Sequence, residues 1–228
     1  MYKIIDGKEV SASVRNEIKA EVEALGVRCI AVKCDVADND SIKNAVAEVV
    51  ADFGRIDILV NNAGCGYLGN FDESEPELQL RMTDLNIRAM TAVTHTVLPF
   101  MPKGSHIINI SSIASFVPNV RMTVYSATKA YVSFFSRGLH EELKPRGISV
   151  TAVCPGPMNT EFIAIGGIKG RSKTFDILPY CDPVKVVRGA LKAAKKGRAV
   201  YTPRLFYKFY RVLSGLIPHA ILVHAAKT

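Results

Sequence analysis

Residues 53–64 read Phe53-Gly54-Arg55-Ile56-Asp57-Ile58-Leu59-Val60-Asn61-Asn62-Ala63-Gly64. Ile56–Val60 is a short run, apolar but for Asp57. It is entered through a glycine able to end a helix and left through an Asn-Asn-Ala-Gly turn. Apolar residues throughout such a run mean burial on both faces, as in a parallel sheet covered by helices. Upstream, Asp38 or Asn39 can cap a helix over 39–53 that Gly54 closes. The same alternation continues outward. Strands are expected at Cys29–Cys34, Ile56–Val60, His106–Ile110, Ile148–Cys154 and Ala199–Tyr201, and helices at about 39–53, 76–101, 122–145 and 183–195. Gly147 separates the third helix from the strand after it. This order predicts one α/β domain over 1–228, a doubly wound parallel sheet in a three-layer α/β/α arrangement.

Composition narrows the function classes. Apolar residues make up 48% of the 228 positions, enough for a sizeable core, and 22% are charged. Five cysteines, at 29, 34, 65, 154 and 181, include no C-x-x-C pair, which argues for a reducing compartment. The histidines have no zinc-ligand spacing, so no metal is expected. No secretory pattern opens the chain, and no apolar run reaches the roughly 18 residues of a spanning helix. A cytoplasmic protein is expected. The net charge of +8 is uneven: residues 183–228 hold ten basic residues and no acid, and 1–182 are slightly acidic. The basic character belongs to a tail, so nucleic-acid binding is not expected.

In a sheet of this kind ligands lie beyond the carboxyl ends of the strands. The ends here read Asp35-Val36, Asn61-Asn62-Ala63-Gly64, Asn109-Ile110-Ser111-Ser112 and Cys154-Pro155-Gly156-Pro157. Tyr125-Ser126-Ala127-Thr128-Lys129 opens the helix between the last two. Tyr125 and Lys129, four apart, share a helix face. An ammonium beside a phenol favours phenolate, so Lys129 is expected to lower the Tyr125 pKa and make it a general acid/base. A hydroxyl such as Ser112 can hold a carbonyl oxygen in line with it.

These pieces come in the order and spacing of a known family. From about Gly26 onward the chain resembles the short-chain dehydrogenase/reductase family, through Asp35-Val36, residues 53–64, Asn86, Ile110-Ser111-Ser112, Tyr125-x-x-x-Lys129 and Pro155-Gly156-x-x-x-Thr160. The resemblance implies a Rossmann-like fold and hydride transfer between NAD or NADP and a carbonyl or alcohol. It implies a catalytic set of Asn86, Ser112, Tyr125 and Lys129. Asp35 and Val36 would contact adenine, and Asn62, Ala63 and Gly64 would line the cofactor. Tyr125 and Lys129 would reach the nicotinamide ribose, and Pro155, Gly156 and Thr160 would flank the nicotinamide. A homodimer through the helices near 76–101 and 122–145 is implied as well.

The chain departs from that family at its start. The strand, glycine-rich turn (T-G-x-x-x-G-x-G) and helix that cradle the pyrophosphate are missing, leaving the first βαβ unit incomplete. Residues 1–25 instead resemble the N-terminus of methylenetetrahydrofolate dehydrogenase/cyclohydrolase proteins, through Lys3-Ile4-Ile5-Asp6-Gly7-Lys8-Glu9-Val10, and can form a strand over 2–6 and a helix over 11–25. Gly64-Cys65-Gly66-Tyr67-Leu68-Gly69 fits G-x-G-x-x-G, but Asp72 and Glu73 after it would repel phosphate, so it reads as a turn running into a loop. A second reading therefore stands beside the enzyme: a remnant with defective cofactor binding that serves as a non-catalytic binding module.

On the substrate side, Phe162, Ile163, Ile165, Ile168, Phe175, Ile177 and Leu178 offer an apolar lining for a small, lipophilic carbonyl or alcohol. Residues 204–217 form a basic amphipathic pattern, with Arg204, Lys208 and Arg211 at i, i+4, i+7. It suits peripheral membrane contact, or a helix packed on the domain or on a second subunit.

Overall fold

The computed structural model describes residues 16–166, 168 and 170–225, with the backbone alone at 164, 165, 173 and 225. Four parallel strands pair in the order β1 (Ile58–Asn61), β2 (His106–Ile110), β3 (Ser149–Val153) and β4 (Val200–Tyr201). The register sets Ile58 opposite His106, Ile108 opposite Thr151, and Val153 opposite Tyr201.

The helices begin and end where their caps allow. α1 (Asn39–Phe53) is capped by Asp38, whose carboxylate accepts from the Asp40 and Ser41 N–H groups. It stops at Gly54, whose φ of 77° is left-handed and costs glycine nothing. The helix expected over 76–101 comes in pieces: α2 (Pro76–Thr83), a wide π-helical turn (Asp84–Ala89) and α3 (Met90–Val97). α4 (Thr123–Leu143) follows β2. Two short helices, α5 (Glu161–Ile165) and α6 (Lys173–Ile177), follow β3. Then come α7 (Pro183–Lys195), capped by Asp182, α8 (Leu205–Leu216) and α9 (His219–Ala225).

Alternate strand residues feed two cores. Ile107 and Val150 pack with Ile42 and Val46 of α1, Val97 of α3 and Leu143 of α4. Ile108 and Val153 face the other way, against Val186, Ala190 and Ala194 of α7 and Tyr207 of α8. The three-layer α/β/α sandwich follows from that period of two.

A further expectation changes. Cys29–Cys34 forms no ladder; residues 27–35 run as unpaired coil up to the α1 cap. A strand needs a neighbour for its N–H and C=O groups, and among the described residues β1 pairs only with β2. The paired strands therefore run in one direction only, as an incomplete first unit implies. Residues 16–23 are helical, within the expected helix 11–25. The expected strand 2–6 lies outside the described residues.

Candidate active site

α4 lies against the end of β2 because its inner face is small and hydroxylated. Ser111 Oγ donates to the Lys129 carbonyl (2.8 Å) and shares a hydrogen bond with Ser133 Oγ (2.8 Å). Ser133 donates to Ser115 (2.9 Å), and Asn109 Nδ2 donates to Ser136 Oγ (2.9 Å). These bonds satisfy buried groups and fix the helix rotation. The motif reading missed this network, although the serine spacing along α4 carries its signal.

That rotation aims Tyr125 and Lys129 past the carboxyl end of β2. Both are buried, 7% and 6% exposed. Ser112, not Ser111, is the serine whose hydroxyl acts on the Tyr125 phenol and pulls its pKa down. Ser112 is held by Ala114, whose N–H donates to its hydroxyl (3.1 Å). Lys129 Nζ donates to the Ile110 carbonyl (2.9 Å) and stands 5.7 Å from the Tyr125 ring centre. The Phe162 ring covers the tyrosine from the other side, 5.7 Å between centres.

The electrostatics differ from the expectation of a lowered tyrosine. Burial pushes Tyr125 up to about 12, against the opposing pull of the Ser112 hydrogen bond. Burial also lowers Lys129 to about 8. Desolvation penalises phenolate and ammonium alike and outweighs their attraction across this distance. Tyr125 therefore holds its proton at neutral pH, the state a proton donor needs.

Asn86 sits in the π-helical turn, 2% exposed. Its Nδ2 donates to the Cys65 carbonyl (2.9 Å) and to Thr128 Oγ1 (3.0 Å), and its Oδ1 accepts from Cys65 N–H (2.9 Å). One side chain thus ties the Asn62-Ala63-Gly64 turn to α4. A Cβ at Gly64 would meet Asn86 Oδ1 at 3.0 Å and Lys129 Nζ at 3.4 Å, so a side chain there would press on both.

A cavity of about 480 Å³ opens over these groups. Ser112, Tyr125 and Lys129 line it, with Asn62, Gly64, Pro155, Gly156 and Thr160. The residues implied for the nicotinamide end therefore come together, and Ala63 lies between two of them. Asp35 and Val36 do not join; they stand in the loop before α1, where the Asp35 carboxylate accepts from Ala37 N–H (2.9 Å). The residues present fit a nicotinamide and its ribose. The turn 62–69 is loop, as expected, and provides no glycine cradle opening a helix. Among the described residues no group of acids, histidines or cysteines could hold a metal.

The opposite wall is apolar. Phe162, Ile163, Phe175 and Leu178 line it as expected, whereas Ile177 is 81% exposed and Ile168 is buried in the packing behind. Phe206, Tyr207, Tyr210 and Leu222 also line it, which the sequence reading did not assign. Tyr207 is fully buried, donates to the Pro179 carbonyl (2.7 Å), and fills the space a Cβ at Gly156 would need.

The short chain dehydrogenase family matches residues 6–165 of this chain. The match begins some twenty residues earlier than the motifs alone place it and ends before the basic tail. The uncharacterized oxidoreductase YhxC of Bacillus subtilis (strain 168) is 40% identical over 148 residues, 64% of this chain and 52% of that protein. Oxidoreductase UcpA of Salmonella typhimurium is 41% identical over 155 residues, 63% of this chain and 59% of that protein. The chain thus spans between half and three fifths of these relatives. Among solved structures, a short-chain dehydrogenase from Sphingobium yanoikuyae in complex with NADPH superposes with a TM-score of 0.74 at 31% identity, covering 89% of this chain and 78% of that one.

Proposed function

This chain belongs to the short chain dehydrogenase family, and from that premise we propose that it is an oxidoreductase using NADP or NAD on a small, lipophilic carbonyl or alcohol. One observation carries the reading: Ser112, Tyr125 and Lys129 converge on one largely apolar cavity, with Lys129 one helical turn from Tyr125. When bound, the nicotinamide supplies or accepts the hydride. The rest falls to the chain. Ser112 donates to the substrate oxygen and fixes its position. Tyr125 gives that oxygen its proton in reduction and takes it back in oxidation. Lys129 replaces the proton on Tyr125 and binds the ribose, and Asn86 keeps the Cys65 turn and α4 in register. Asn62, Ala63, Gly64, Pro155, Gly156 and Thr160 hold the nicotinamide end, and Asp35 and Val36 meet the adenine.

The apolar wall supports a lipophilic substrate, because among the described residues lining the cavity Lys129 alone is charged, and its charge lies on the tyrosine side. Exposed Phe134 (72%) and Leu80 (57%) on α4 and α2 support a homodimer through those helices. The site lies in a protein working in the cytoplasm, at a membrane surface where the tail makes contact.

Titration with NADPH and then NADH, followed by reduced-nicotinamide fluorescence, tests the reading; the chain has no Trp to interfere. Saturable micromolar binding is expected, with turnover of an apolar aldehyde that Tyr125→Phe abolishes. No binding up to millimolar cofactor would overturn the enzyme and leave a non-catalytic binding module.

A further inference from the structure

Helix α8 is oriented against the usual rule. Its buried side carries Tyr207 and Ser214, 0% and 7% exposed. Its outer side carries Leu205 (81%), Phe209 (63%), Val212 (55%) and Leu216 (75%). These four stand at i, i+4, i+7 and i+11, one continuous stripe along the helix. Ile221 (63%) extends it onto α9. An amphipathic helix that packed on its own domain by hydrophobicity would bury this stripe. Here the anchors are Tyr207, wedged against Gly156, and Tyr210, beside Phe116, and the stripe is left to something else.

The charge beside the stripe says what that is. Lys208 and Arg204 are exposed next to it. Across 183–228 there are ten Lys and Arg and no Asp or Glu. A face that is apolar along its centre, basic at its margin and free of acids is complementary to an anionic lipid surface. The matched family span ends at residue 165, before this region.

The same helices wall the cavity. Phe206, half exposed, and Leu222 belong both to the cavity lining and to the outer surface of α8 and α9. We infer that α8 and α9 dock on an anionic lipid bilayer and that the cavity receives its lipophilic substrate from the bilayer. The second clause rests on the oxidoreductase reading; the first does not.

The test uses the full chain and vesicles of phosphatidylglycerol and phosphatidylcholine (1:1), with pure phosphatidylcholine alongside. Co-sedimentation is expected on the anionic vesicles, falling at least tenfold between 50 and 500 mM salt, in line with counter-charge binding, and near background on the neutral ones. Leu205→Ser/Phe209→Ser is expected to lose binding while keeping its unfolding midpoint, since both side chains already face solvent. Lys208→Glu should weaken binding on the order of tenfold, two unit charges having been exchanged. Neither variant touches the cavity lining. Equal sedimentation of wild type and double variant overturns the docking. So does a wild-type dimer by light scattering that the double variant turns into monomer without any vesicle binding, because the stripe then belongs to a second copy. For the access step, the double variant should raise KM for a long-chain aldehyde dissolved in vesicles and leave kcat and KM for a short water-soluble aldehyde unchanged. Unchanged KM for both overturns access from the bilayer. Loss of nicotinamide binding with vesicle binding intact would sink the oxidoreductase reading and spare the docking.

Discussion

At the middle of the sheet, Ile107, Ile108, Val150 and Ala152 are at most 2% exposed, whereas Ile58 and Val60 on β1 are 41% and 51% exposed. The sequences of these strands are equally apolar. What differs is company: β2 and β3 each have a strand on both sides and helices on both faces, and β1 has one strand neighbour. The groups proposed for proton transfer hang from the finished part, through β2, α4 and the loop after β3. The groups implied for the adenine end hang from the unfinished part. Chemistry and cofactor grip are thereby placed on regions of unequal rigidity, and they should fail independently.

The largest expected effect separates the two. Tyr125→Phe removes the proton donor and leaves the cavity shape, so kcat should fall about 10²–10⁴-fold. Fluorescence titration should give an NADPH Kd within about twofold of wild type, because the lost hydroxyl is one contact among many. A Kd that rose in step with the fall in kcat would break the division between chemistry and grip.

Next comes the same substitution on each region. Ile107→Ala, at 0% exposure, should cost about 2–5 kcal/mol in urea unfolding, because the cavity it leaves is enclosed between the sheet and α1, α3 and α4. Ile58→Ala should cost under about 1 kcal/mol. Equal costs would mean that β1 is as well covered as β2.

A third measurement uses pH on the finished region. Lys129 has its ordinary pKa of 10.5 when unfolded and about 8 when folded. Between those values the unfolded chain binds the extra proton, so stability should rise with pH from about 8 to about 10.5 and be lost again on acidification through 8. The full rise is roughly 3 kcal/mol. Two sets of groups act in the opposite sense: the thiols of Cys65, Cys154 and Cys181, which burial raises from 9.0, and above pH 10 Tyr125, so the Lys129 share is read as the difference between the wild-type and Lys129→Met profiles. Lys129→Met should remove the rise and be the more stable protein at pH 7. A flat difference between the two profiles would show that the ammonium is solvated in place.

Which features could be read from the sequence follows the same division. The helices 39–53 and 183–195 were legible to the residue, since Asp38, Gly54, Asp182 and Pro183 mark their ends by local chemistry. That Ser112, Tyr125 and Lys129 face one cavity was legible because spacing encodes shared faces and strand ends, whereas Asn86 came from the family resemblance alone. The lowered tyrosine was a misreading: spacing says which groups are near, and burial decides which protonation state is penalised. Cys29–Cys34 was misread because a strand is a property of pairs, and its partner is not written in its own residues. The tail's share of the cavity was missed for a related reason, since Phe206, Tyr207 and Tyr210 lie some eighty residues beyond the tyrosine they enclose.

The smallest expected effect bears most directly on the edge. Val60 lies on the strand with one neighbour and is half exposed, so Val60→Lys places a solvated charge where a charge is tolerated. Its unfolding free energy should shift by no more than about 0.5 kcal/mol. Its aggregation should nonetheless slow, because a lysine on an open edge obstructs the addition of a further strand from another molecule. Light scattering on warming, at matched fraction unfolded, reads the two apart. A loss of 2 kcal/mol or more would mean that Val60 is covered, that another segment pairs with β1, and that the two flanks of the sheet are alike after all. Slower aggregation at unchanged stability would fix β1 as the open side, and with it the reason that Asp35 and Val36 stand clear of the cavity.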